Sequence, residues 1–222
     1  GVSTRLIGAL IMAHGDANGL RLPPRLAPHQ VGIIPIYKTD DQRNDVLSVA
    51  NQIADDLRAK GIRVKVEDRD TVRPGFKFNE AELRGIPVRV ELGPRDIEQG
   101  NVVVFRRDLG EKETMSRDGV VERITALLDV IQATMFRQAI AFRDENTHRV
   151  DTWDDFKART SVEGGCGFLL AHWDGTSETE TRINEETKAT IRCIPLDDDH
   201  EEGKDILTGK PSKRRVIFAK AY

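Results

Sequence analysis

The sequence predicts an α/β protein, and three observations carry that expectation. Ile62, Val64 and Val66 alternate with Arg63 and Lys65 in the period of two of a half-buried strand. Val46, Ala50, Ile53 and Leu57 follow helical spacing, and the two patterns succeed one another as strand, helix and strand, which implies a right-handed crossover between parallel strands. At 222 residues with 38% hydrophobic content, the chain has enough apolar side chains for one large core or two smaller ones.

Residues 1–14 mix small and apolar groups densely, which predicts a strand running into a helix buried on most faces. Residues 15–19 (Gly15, Asp16, Ala17, Asn18, Gly19) read as a turn, and Pro23, Pro24 and Pro28 predict an extended linker because each fixes φ and biases its predecessor away from helix. A domain boundary is placed there. Val31, Ile33, Ile34 and Ile36 then predict a buried strand, and Asp40 or Asp41 is positioned to cap the helix that Gly61 stops. Further strands are expected at Pro87–Leu92 and Val102–Arg106. The clearest helix spans 119–143, with Val121, Ile124, Leu128, Ile131, Met135, Ala139 and Phe142 on one stripe. After Thr147 a second pattern begins: a short helix with Trp153 and Phe156, a strand Phe168–His172, a helix near 178–187, and strands Thr190–Ile194 and Arg215–Ala219. The acidic stretch Asp197–Gly203 reads as a solvated loop between the last two strands.

The formal charge of −3 excludes a protein that binds nucleic acid by bulk attraction alone, so any such site must be local. No apolar run approaches the ~18 residues of a membrane span and no leader peptide is evident, which predicts a cytoplasmic protein with no membrane partner. Two cysteines, Cys166 and Cys193, are too few for a disulfide framework and read as free thiols. The start at Gly1, directly on a dense apolar motif, suggests a piece of a longer protein.

Gly1, Val2, Ser3, Thr4 and Arg5 are by themselves a weak signal. With Leu6, Ile7 and Gly8, then His14, Gly15 and Asp16, then Gly19, Leu20, Arg21, Leu22, Pro23, Pro24, Arg25, Leu26, Ala27 and Pro28, they form a string that resembles the third signature motif of class II prolyl-tRNA synthetases and the junction after it. The resemblance continues through Pro35–Lys38, Asp68–Asp70, Arg73–Phe78, Gly85–Asp96, Lys112–Thr114 and Val216–Tyr222, in the archaeal and eukaryotic style with a C-terminal extension.

That resemblance implies residues 1–28 as the end of a class II catalytic domain, 29–148 as a mixed-sheet anticodon-binding domain and 149–222 as a small α/β C-terminal domain. It implies proline–tRNA ligase activity in the full-length protein, with ATP, Mg²⁺, proline and proline tRNA as partners and homodimerisation through the catalytic domain. The fragment alone is expected to be inactive. Arg5, and less directly Ser3, match positions that lie against ATP, where a planar, permanently charged guanidinium suits phosphate or adenine. Glu82, Arg89, Arg95, Asp96 and Lys112 match readers of the two guanines of proline anticodons, since unstacked bases expose edges to which carboxylates and cations can bond. On pattern alone, Arg89 and Glu91 could equally be an exposed pair on a strand. Relatives with this extension often hold a structural Zn²⁺ on four cysteines, and here the matching positions are Asp174, Thr179, Asp205 and Thr208, so no zinc is expected. Tyr222 matches a terminal residue that supports the active site. The rival readings are a non-catalytic tRNA-binding module and a sister synthetase for threonine, histidine or glycine.

Overall fold

A computed structural model describes residues 2–196 and 200–220. The chain forms two compact units, Gly1–Phe136 and Arg137–Tyr222. No helix among the described residues is long and apolar enough to cross a membrane.

The first unit opens with α1 (Arg5–His14) and a two-residue hairpin, β1 (Gly15–Asp16) and β2 (Gly19–Leu20). The strand expected before α1 is absent from the described residues, and α1 has no buried residue. Leu6, Ile7, Ile11 and Met12 are exposed, because an apolar pattern encodes a need for a partner without supplying one. The proline-rich stretch is extended as expected but is packed: Leu22, Pro23, Pro24 and Ala27 are buried, and Arg63 donates to the carbonyls of Pro24 and Ala27 at 3.0 Å.

The α/β core follows in the order β3 (Val31–Pro35), α2 (Asp40–Ala59), β4 (Val64–Val66), α3 (Pro74–Leu83), β5 (Val88–Leu92), α4 (Pro94–Glu98), β6 (Asn101–Arg106), β7 (Glu111–Ser116) and α5 (Val120–Glu145), the last crossing into the second unit. The strands lie in the order β4-β3-β5-β6-β7, with β3 parallel to β4 and β5, and β6 antiparallel to both neighbours. Thr39, rather than Asp40 or Asp41, caps α2: its hydroxyl accepts from the Gln42 N–H at 3.3 Å, while the two aspartates occupy the first turn, where the helix dipole favours them.

Side-chain alternation divides the sheet's two faces. Val31, Ile33, Val88, Val90, Leu92, Val102 and Val104 pack against α2 and α5 in the main core. Gly32, Ile34, Arg89, Glu91, Val103 and Phe105 occupy the other face, where α3 covers Ile34 through Ala81 and Phe78. The α5 stripe is buried as far as Met135. Ala139 and Phe142 continue it beyond the core and are exposed, contrary to expectation.

The second unit contains β8 (Thr147–Val150), α6 (Trp153–Thr160), β9 (Phe168–His172), α7 (Ser177–Thr187), β10 (Ala189–Cys193), a small hairpin of β11 (Gly203–Lys204) with β12 (Pro211–Ser212), and β13 (Arg215–Lys220). Its sheet runs β10-β13-β9-β8. Phe156 is fully buried, stacked on Trp153 at 5.6 Å and edge-on to Phe218 at 5.2 Å, so these aromatics anchor the core. The stretch Asp197–Gly203 lies partly outside the described residues; within it, Glu201 pairs with Arg149 and Arg215, and Gly203 begins β11.

Candidate functional site

Arg89, Phe105 and Lys112 are directly opposite one another on β5, β6 and β7, so sheet register alone places them in one cross-strand row. Glu91, two residues along β5, shares their face. The last turn of α3 brings Glu82 over the row, giving a cluster of two cations and two carboxylates beside two phenylalanine rings. Glu82, Arg89 and Lys112, predicted from separate segments, therefore converge.

Their environments differ. Arg89 is only 3% exposed, with its guanidinium 4.1 Å from the Phe105 ring centroid and 4.6 Å from that of Phe78. It donates to Glu82 at 2.7 Å, Glu91 at 3.0 Å and the Phe78 carbonyl at 3.4 Å. The alternative of an exposed Arg89–Glu91 pair is thereby corrected: both are buried, because α3 roofs this face of β5. A buried guanidinium needs such full pairing, and here the aromatic rings add cation–π attraction. Lys112 lies at the edge of the cluster, 48% exposed, with its ammonium 2.8 Å from Glu91 and 5.2 Å from the Phe78 ring. Glu82 is partly exposed as well, at 22%. Arg89 and Glu91 thus form a buried frame, and Lys112 and Glu82 present the accessible donor and acceptor.

Arg95 and Asp96 are not joined to this cluster by any hydrogen bond or ion pair among the described residues. They occupy the first turn of α4 beyond the other end of β5, where the Asp96 carboxylate accepts from the Gly93 N–H at 2.8 Å and caps the helix. Arg95 is exposed. Ser3 and Arg5 are exposed at the start of α1, and the Ser3 carbonyl accepts from the Leu6 N–H at 3.1 Å. Tyr222 lies outside the described residues.

Sequence reasoning missed Phe78 and Phe105 as cluster members and gave Glu91 no role beyond pairing. The available signal was the two-residue spacing of Arg89 and Glu91 on an otherwise apolar strand, which places two charges on one face.

In the second unit, Asp174, Thr179, Asp205 and Thr208 also come together. The Thr179 hydroxyl donates to Asp174 at 2.9 Å, and the single proton of the Thr208 hydroxyl is shared between Asp205 at 2.9 Å and Asp174 at 3.3 Å. Asp205 further accepts from the main-chain N–H groups of Asp174, Leu207 and Thr208, and Asp174 from the N–H and hydroxyl of Thr176. Burial opposes ionisation of Asp174, but the donors from Thr176, Thr179 and Thr208 outweigh it and hold its pKa below the usual carboxylate value. This donor set does not fit a tetrahedral zinc site, which takes thiolate or imidazole; both carboxylates instead accept several in-chain donors. His172 packs against Gly203 and shares a 3.2 Å bond with the Ser212 hydroxyl. Cys166 is buried and Cys193 exposed, both free.

Comparison with known proteins accounts for both units. The model of the anticodon binding domain family matches residues 30–127, which contain the whole cluster, and that of the prolyl-tRNA synthetase C-terminal domain matches 153–222. Proline–tRNA ligases of Porphyromonas gingivalis W83, Salinibacter ruber and Roseiflexus sp. RS-1 are 55%, 52% and 49% identical to it across the full 222 residues or the few more that alignment gaps add. Both units thus match, by family model and by relative, the C-terminal part of prolyl-tRNA synthetases. The chain spans under half the length of these relatives, 44% to 46%, and corresponds to their C-terminal part. The residues that match the anticodon binding domain model include the polar sheet face that holds the cluster just described.

Proposed function

We propose that this chain is the C-terminal portion of a cytoplasmic proline–tRNA ligase and that its first unit reads the anticodon of proline tRNA. The observation that carries the reading is the convergence of Glu82, Arg89 and Lys112 on one face. Lys112 supplies a mobile cation for guanine O6 and N7, and the free oxygen of Glu82 accepts from N1 and N2. Arg89, buried and fully paired, holds the two carboxylates in place. Phe78, half-buried beside Lys112, offers a ring edge against which an unstacked base can pack. Arg95 is a peripheral contact from α4, and Asp96 serves it by capping that helix.

In this reading residues 1–28 end the catalytic domain, 29–148 bind the anticodon and 149–222 form the C-terminal domain. Arg5, with Ser3 beside it, meets ATP, and the exposed apolar side of α1 is covered by the catalytic domain of the full-length homodimer. There, ATP with Mg²⁺ activates proline, and the prolyl group passes to the tRNA; Tyr222 supports that site.

The test is the affinity of the chain for proline tRNA and for the same tRNA with both anticodon guanines replaced. The parent chain prefers the natural tRNA, and Lys112→Ala or Glu82→Ala lowers that preference by about 1–3 kcal/mol each, the value of a good base contact. Equal affinity of the parent chain for the two tRNAs would remove the reading.

A further inference from the structure

Arg107, just past β6, is 5% exposed and lies outside the cluster. Its Nη1 and Nη2 donate to the two carboxylate oxygens of Asp16 at 2.9 and 2.6 Å, while its Nε donates to the main-chain carbonyl of Glu82 at 3.3 Å. One buried side chain thus grips both the β1–β2 hairpin and the turn of α3 that carries Glu82. Two glycines bring these backbones together: a Cβ on Gly19 would stand 2.4 Å from the Leu83 Cα, and one on Gly85 would stand 2.7 Å from the Leu20 Cβ. The Leu22 N–H also donates to the Gly85 carbonyl at 3.4 Å.

We propose that Arg107 is a positioning residue for base reading, locking the C-terminal end of α3, and so the Glu82 carboxylate, to the hairpin that continues α1. This rests on the assignment of Glu82 and Lys112 as RNA contacts. Lys112 is placed by the pairing of β7 with β6, whereas Glu82 is placed by the seat of α3. The distance between the accessible donor and acceptor therefore depends on how α3 is held. A planar guanidinium bonded on three sides fixes direction as well as distance, which an ammonium does not. The fork also holds Asp16 ionised far into acid, with its pKa lowered to about 2 chiefly by the Arg107 hydrogen bonds. Because coupling is reciprocal, RNA that engages Glu82 stiffens the hairpin in turn.

The experiment compares the parent chain with Arg107→Met, Arg107→Lys, Asp16→Asn and Glu82→Ala, measuring Kd for proline tRNA and for the guanine-replaced tRNA, with thermal melts as a check of folding. Arg107→Met and Asp16→Asn reduce the ratio of the two Kd values by about tenfold, an ordinary coupling strength, and Arg107→Lys recovers part of it. Hydrogen exchange at Gly15–Leu20 slows on binding the natural tRNA in the parent and does not in Arg107→Met. Should Arg107→Met not fold, Asp16→Asn decides, since it removes the charge while keeping an oxygen for the turn bond to Asn18. If Glu82→Ala loses discrimination while folded Asp16→Asn and Arg107→Met keep the parent ratio, the positioning role is overturned and the reading of Glu82 stands. If Glu82→Ala itself keeps the ratio, the base-reading assignment falls and takes this proposal with it.

Discussion

The chain contains two polar clusters of similar size that are built to opposite ends. In the first unit, Arg89 and Glu91 are buried beneath α3 while Lys112 and Glu82 stay partly open, so charge is fixed from below and presented above. In the second, Asp174, Thr179, Asp205 and Thr208 spend their donors and acceptors on one another and on the local backbone. The first has bonding capacity left for a ligand. The second works as a cross-link, joining the turn after β9 to the turn between β11 and β12, where the family resemblance would place a metal.

Substitutions can sharpen this contrast. Arg89→Met should have the largest effect, about 3–5 kcal/mol of unfolding free energy by denaturant titration, because it leaves the buried Glu91 carboxylate with only the half-exposed Lys112 as partner and removes the anchor of Glu82. Asp205→Ala should cost about 2–3 kcal/mol by the same measurement, since it leaves main-chain N–H groups of residues 174, 207 and 208 without their acceptor. If it cost nothing, the view of the second cluster as a cross-link would fail. Chelator should leave the melting temperature unchanged, and stoichiometric zinc in elemental analysis of the purified chain would contradict the donor chemistry described for Asp174, Thr179, Asp205 and Thr208. Lys112→Ala should leave melting nearly unchanged and act on RNA preference alone, which separates the open cluster from the closed one.

Acid should weaken both units. The Arg107 bonds lower Asp16 to about 2, and the Arg215 and Arg149 bonds lower Glu201 to about 2. Burial opposes ionisation of Glu67, but bonds from Arg69 and Lys65 prevail and bring it also to about 2. In each case the folded pKa lies below the ordinary value of 3.8 for Asp or 4.5 for Glu. Their contribution is therefore complete above those values and disappears as pH falls from about 5 towards 2. A urea midpoint unchanged across that window would show that these pairs add nothing. The smallest effect belongs to exposed pairs such as Arg58–Asp55, where Arg58→Ala should change stability by about 0.3 kcal/mol.

Much of this architecture was legible in the residues. β9 was read to the residue, and the ranges of α5 and β13 to within about two residues, because their apolar periodicity is strong; α7 was read as closely although Ile183 is its one apolar residue. α3, β7 and β8 were missed. α3 begins Pro74-Gly75 and faces the sheet over only a few residues, β7 is almost wholly exposed and reads as a polar segment, and β8 has only four residues. Those misses concealed the site, since α3 supplies Glu82 and Phe78 while β7 supplies Lys112. The apolar stripe of α1 was legible too, but whether it is covered depends on a neighbour that its own periodicity cannot name.

By itself the sequence determined the alternating α/β pattern, the local character of any nucleic-acid site and the lack of thiolates at Asp174, Thr179, Asp205 and Thr208. Those follow from composition and short-range spacing, which a chain carries before it folds. Only the tertiary structure decided that Arg89 is a buried frame rather than a surface cation, that Lys112 stands across two strands from it, and that Arg107 ties Asp16 to Glu82 across 91 and 25 residues of chain. Sheet register and helix seating set those distances, and both arise from contacts between segments that local periodicity does not encode.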